Sequence, residues 1–189
     1  MITFDETNHV FHLKNDRFSY CFSIERGKYL LHQYFGRPLR AFRGSAERPA
    51  IDRGFSPQPG AYENERTFSL DVVPQEFATN GHGDFRIPSL DVVLENGTNV
   101  VELWYEGYEI KKGKPALEGL PALYAKDDEA ETLEVTLADT KGRMKAILSY
   151  TVFASDGVLT RSVRYVNTGS ESLRLENAAS LCLDLPHHD

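Results

Sequence analysis

The sequence predicts an all-β fold, an antiparallel sandwich with little helix, and three observations predict it. Apolar and polar residues alternate along most of the chain, a helical period appears almost nowhere, and strong turn sequences separate the alternating runs. The first clear strand holds Phe18, Tyr20, Phe22 and Ile24 alternating with Ser19, Cys21, Ser23 and Glu25. One pleated face is thus aromatic and the other small or polar. Runs at 68–73, 90–94 and 100–110 follow. Leu133, Val135 and Leu137 then alternate with Thr132, Glu134 and Thr136, and runs at 145–153, 158–166, 173–175 and 178–185 complete the set. Between them stand Glu95-Asn96-Gly97-Thr98, Asp139-Thr140-Lys141-Gly142, Ser155-Asp156-Gly157 and Asn167-Thr168-Gly169-Ser170, all turn formers. The later turns recur about every ten residues, which is meander spacing. The expected core includes Phe18, Tyr20, Phe22, Leu133, Val135, Leu137, Leu148, Val152 and Val163.

The 189 residues are 41% hydrophobic and 11% aromatic, enough for one domain with a substantial core, and no tether or fixed-period repeat divides them. A single domain over 1–189 is expected. The net charge of −7 argues against a nucleic-acid partner. No apolar run approaches the roughly 18 residues of a membrane span. Met1-Ile2-Thr3-Phe4-Asp5-Glu6 lacks the basic and apolar blocks of a secretory signal. Two distant cysteines, Cys21 and Cys182, suggest neither a disulfide framework nor a zinc cage, so a cytoplasmic location is expected.

One stretch breaks the strand rhythm. Residues 36–66 hold six of the thirteen arginines and no lysine, with Pro49, Pro57 and Pro59 and the aromatic anchors Phe42, Phe55 and Tyr62. A long Arg-rich loop of this kind reads as ordered and interfacial, since structureless segments near thirty residues are unusual in compact domains. Acidic charge gathers instead at Asp127-Asp128-Glu129-Ala130-Glu131, which reads as a solvated turn and lacks the glycine bend of a calcium loop.

Catalytic and metal motifs are scarce. His9 and His12 would face opposite sides of a strand, His32 reads as a hydrogen-bonded structural histidine, and the terminal His187-His188-Asp189 has no strand-borne third ligand. No metal and no cofactor are expected. No nucleophile elbow, phosphate loop or HExxH occurs, and no carboxylate pair stands out as a glycosidase pair. The run Gly81-His82-Gly83-Asp84-Phe85-Arg86-Ile87-Pro88 reads as a tight turn in which Asp84 takes backbone donors and pairs with Arg86.

Together, Ile51-Asp52-Arg53-Gly54-Phe55-Ser56-Pro57, Arg66-Thr67-Phe68-Ser69-Leu70-Asp71, Pro74-Gln75-Glu76-Phe77 and the run 81–88 resemble the amino-terminal domain of bacterial α-galactosidases of glycoside hydrolase family 36. Leu120-Pro121-Ala122-Leu123-Tyr124 and the segments at 127–135 and 159–167 are similar to its later strands. The resemblance implies a β-supersandwich that precedes a (β/α)8 catalytic barrel carrying the two catalytic aspartates of a retaining mechanism. It implies no catalytic residue in this chain. It also implies a tetrameric parent in which a loop of this domain helps complete a neighbouring subunit's galactoside pocket. Here that loop corresponds to Asp52, Arg53, Tyr62 and Arg66, as substrate-binding residues. The residues alone leave each of these equally well explained by local pairing, Arg53 or Arg66 with Asp52, Glu63 or Glu65. Two other readings stay open: an autonomous carbohydrate-binding module, which the single Trp104 supports poorly, and a mutarotase-like sugar enzyme using a His/Glu pair in a concave sheet.

Overall fold

The computed structural model describes residues 1–44, 52, 65–81, 83–119 and 122–183. The first four strands, β1 (Ile2–Asp5), β2 (Val10–Lys14), β3 (Ser19–Glu25) and β4 (Tyr29–Gly36), form one antiparallel meander. A second meander contains β6 (Leu103–Lys112), β7 (Ala130–Asp139), β8 (Met144–Phe153) and β9 (Leu159–Asn167). Between the two in sequence, β5 (Leu90–Leu94) pairs antiparallel with the last strand, β10 (Leu173–Ala178).

The two meanders stack face to face. Phe11, Leu13, Tyr20 and Phe22 from the first share one buried cluster with Leu133, Val135, Leu148 and Tyr150 from the second. The Phe22 ring stacks on Tyr150 at 5.0 Å, and Tyr108 meets the Phe11 ring edge-on at 5.0 Å. Aromatic pairs at this spacing add about 0.5–1.5 kcal/mol beyond the area they bury. Eight of the expected core residues are buried, and Val163, on the outermost strand of its sheet, is partly buried against them.

Several elements differ from the sequence expectation for identifiable reasons. Residues 68–73 form no strand: Leu70–Val72 is a short 3-10 turn. Phe68, Leu70 and Val73 still point inward, but they pack on Tyr29 and Leu31 of β4 in a second small cluster. The carbonyls of Leu70 and Val73 accept from the Arg86 guanidinium rather than from a neighbouring strand. Of the expected strand at 178–185, Ala178 closes β10, Ala179 N donates to Ser89 O (2.8 Å), 179–183 form no strand, and 184–185 lie outside the described residues.

β3 is buried on both faces, whereas alternation implied one solvated face. The chain leaving β4 covers the small face: Leu39 N donates to Ser19 Oγ, and Lys14 Nζ donates to Arg40 O. His12, beneath it, lies 2.9 Å from Ser19 Oγ, and burial pushes its pKa down to about 4.

These contacts predict where truncation is felt. Leu133→Ala should lower unfolding free energy by about 2–5 kcal/mol and Phe22→Ala by about 3–5 kcal/mol in denaturant titrations. Near-zero changes at both would place the core on the wrong faces.

Candidate functional site

Glu76 sits on the stretch that crosses from the first sheet towards the second. Its backbone is fixed against β4, with Glu76 N donating to Leu30 O (2.9 Å) and His32 N to Pro74 O (2.8 Å). Its side chain has no exposed surface. Oε1 accepts from Tyr20 Oη (2.7 Å) and His32 Nδ1 (3.1 Å), and Oε2 from Tyr150 Oη (2.9 Å) and Arg161 Nη1 (3.0 Å). Arg161 Nη2 also donates to Glu76 O (2.8 Å), and the guanidinium lies over the Tyr150 ring.

Burial alone would raise the Glu76 pKa. The His32 hydrogen bond, the Arg161 charge and the Tyr20 hydroxyl outweigh it and hold the carboxyl below its ordinary value. Burial, with the Glu76 charge beside it, drives Tyr20 well above the tyrosine range. This is an ionised, saturated carboxylate. With every lone pair engaged and no exposed surface, it is poorly placed to take a proton from a substrate. The His/Glu pair that a mutarotase-like reading needs is therefore present as a structural tie.

A cavity of about 370 Å³ opens beside this tie, walled by Phe18, Tyr20, Phe35, Tyr150, Arg161 and Leu181 among others. Its surface is mostly apolar, and Glu76 and His32 do not reach it. Trp104, the residue a carbohydrate-binding module would use for stacking, packs against the small cluster on β4, with Lys28 Nζ 3.9 Å over its ring.

Of the loop residues expected to bind substrate, Asp52 and Arg66 are brought together: Arg66 Nε lies 2.9 Å from Asp52 Oδ1, with 57% and 56% of the side chains exposed. Arg53 and Tyr62 lie outside the described residues, as do 187–189. Glu65 is taken by Arg26, whose guanidinium also lies 4.2 Å over the Phe68 ring. Asp84 and Arg86 pair as the turn reading expected (2.7 Å), and Asp84 Oδ1 accepts from Arg86 N. Among the described residues no His, Cys, Asp and Glu group could hold a metal ion. Sequence reasoning missed Glu76 and Arg161, because a carboxylate and a guanidinium 85 residues apart carry no mutual signal before the fold joins them.

Removing the Glu76 charge should leave Arg161 buried and unpaired. Glu76→Gln should cost about 3–5 kcal/mol at neutral pH. A carboxyl depressed in the folded state contributes stability that is present above its unfolded value of 4.5 and lost as pH falls through the lower folded value. The stability gap between wild type and variant should therefore be constant above about pH 5 and narrow in more acid solution, measured by urea titration at each pH.

Residues 28–189 match the model of the glycosyl hydrolase family 36 N-terminal domain. The chain is 42% identical over 189 residues to α-galactosidase AgaA of Geobacillus stearothermophilus, covering 100% of this chain and 26% of that protein. The crystal structure of α-galactosidase AgaB from the same organism superposes with a TM-score of 0.90 at 41% identity, covering 98% of this chain and 25% of that one. A crystal structure of an AgaA variant in complex with raffinose superposes with a TM-score of 0.88 at 44% identity, covering 94% and 24%. The chain thus spans about a quarter of the length of these three relatives, each an α-galactosidase. With this agreement of sequence, sandwich and length, the chain belongs to glycoside hydrolase family 36, as its amino-terminal domain.

Proposed function

We propose that this chain is the non-catalytic amino-terminal domain, over 1–189, of a longer α-galactosidase that hydrolyses terminal α-galactosides of the melibiose and raffinose type. In this reading it supports assembly of a homotetramer and lends its 52–66 loop to the pocket of a neighbouring subunit. The observation that carries the loop's role is the Asp52–Arg66 pair, held together yet more than half exposed on both sides. An exposed pair of this kind contributes only about 0–1 kcal/mol to its own domain, so it is readily exchanged for contacts to an incoming group. A guanidinium fork and a carboxylate are the chemistry that paired sugar hydroxyls take. Support for a non-catalytic role comes from Glu76, the best-positioned buried carboxylate, whose oxygens are fully occupied. The free thiol of Cys21, buried and pushed up to about 12 by desolvation, suits a reducing cytoplasm.

The test is steady-state kinetics of Asp52→Ala, Arg53→Ala and Arg66→Ala in the full-length enzyme, with mass followed by light scattering. Contacts made equally in ground and transition states should raise KM about tenfold or more with kcat nearly kept. A parallel fall in kcat means that the loop holds the pocket's shape. Wild-type kcat/KM for all three with the oligomer intact rules out the loop's role. The 189-residue chain alone should release no product from an aryl α-galactoside.

A further inference from the structure

We infer that the loop 83–88 is a docking surface for the part of the same polypeptide that follows this chain, with Phe85 and Ile87 as its anchors. The inference rests on the reading above that the chain is the amino-terminal part of a longer protein.

Phe85 is 98% exposed and Ile87 85%, the two most exposed large apolar side chains among the described residues. Single exposed apolar residues are ordinary, but two at alternate positions of one braced loop are not. The intervening side chains turn inward. Asp84 accepts from Gln75 Nε2 (2.7 Å) and from Arg86 Nε (2.7 Å), while Arg86 Nη2 donates to Leu70 O (3.2 Å) and Val73 O (2.8 Å). Phe85 and Ile87 are therefore presented by a backbone fixed on both sides of them, so a partner binds without first ordering the loop. Val72, on the 3-10 turn whose flanking carbonyls Arg86 holds, is 46% exposed and extends the apolar surface.

The choice of occupant follows from the path of the chain beyond β10. Asn177 Nδ2 donates to Pro88 O (2.7 Å) and Ala179 N to Ser89 O (2.8 Å), so the end of β10 is fastened to the last residue of the loop and to the residue after it, before the chain runs on to Leu183, which packs on the main core. In relatives such as AgaA, of which this chain matches 26%, the remaining three quarters is carried on the same polypeptide. A domain carried on the same chain meets Phe85 and Ile87 at an effective concentration that a separate molecule does not reach. A second copy of this chain has no such tether and would have to reach the loop from solution.

The test is Phe85→Ser/Ile87→Ser in the full-length polypeptide, followed by scanning calorimetry, light scattering and hydrogen exchange. The expected result is a thermal transition lowered by about 5 °C or more, or split in two. Molecular mass should be unchanged, amides of β7 and β8 should stay protected, and amides beyond residue 189 should exchange faster. An unchanged transition overturns the inference. So does a fall in oligomer mass, which assigns the loop to a contact between subunits. Loss of protection within β7 and β8 overturns it too, because the side chains then serve the sandwich itself. Failure of the functional reading is separable: wild-type protein without α-galactoside hydrolysis would sink that reading and leave the thermal comparison valid.

Discussion

The sandwich depends on a charge with no solvent. Glu76 is fully buried, and taking a carboxylate and a guanidinium out of water costs several kcal/mol per ion unless the remaining lone pairs and protons are satisfied. Its four donors come from β3, β4, β8 and β9, so two strands of each main sheet converge on one carboxylate. That convergence sets register. Slipping β8 by one residue would carry Tyr150 to the other face and strip Oε2 of a donor in the interior. Hydrophobic faces alone tolerate many near-equivalent stackings, whereas a saturated buried carboxylate tolerates few. In this protein the ion pair acts as a specifier of how the sheets meet more than as a source of net stability.

The same logic explains how the two ends of the stretch between β4 and Phe68 are held on a rigid body. The chain leaves β4 under the control of Leu39 N on Ser19 Oγ and Lys14 on Arg40 O. It returns at Glu65, which Arg26 grips, and at Phe68, which lies beneath the same guanidinium and packs on β4. Both ends are thereby fixed to the outer face of the first sheet. The entropy of closing a loop grows only slowly with its length once its ends are held. The stretch between these ends therefore costs the sandwich little.

What could be read from the sequence follows the same division. Strands with one clean face are legible: Leu90–Leu94 falls where alternation puts it, β8 and β9 lie within a residue of their expected positions, and β7 extends the expected 132–137 by two residues at each end. β4 is not, because Tyr29 and Leu31 face the small outer cluster while Leu30 faces the main core, so its run shows no alternation. The run 68–73 misled for the opposite reason. Its alternating Phe68 and Leu70 are buried, but Arg86 and Gln75 supply hydrogen bonds that a strand would have taken from a neighbour. Local pattern reports which side chains are inside, not which group satisfies the backbone. The partnership of Asp52 with Arg66 is among the local pairings the sequence allows, while that of Glu76 with Arg161 requires the fold.

Those two pairs join a carboxylate to a guanidinium at nearly equal distance, 2.9 Å and 3.0 Å, and the consequences are opposite. In the interior, low dielectric and the full set of donors on the Glu76 carboxylate make the Glu76–Arg161 pair hard to exchange, since any competitor would have to replace four donors at once. At the surface, water screens Asp52–Arg66 so thoroughly that breaking it is nearly free, and a ligand or neighbouring subunit needs only modest contacts to recruit either group. Chemical potential for binding in this domain is therefore located by exposure and not by residue type. A sandwich locked at Glu76 gives the weakly held charges of Asp52 and Arg66 a rigid body to be carried on.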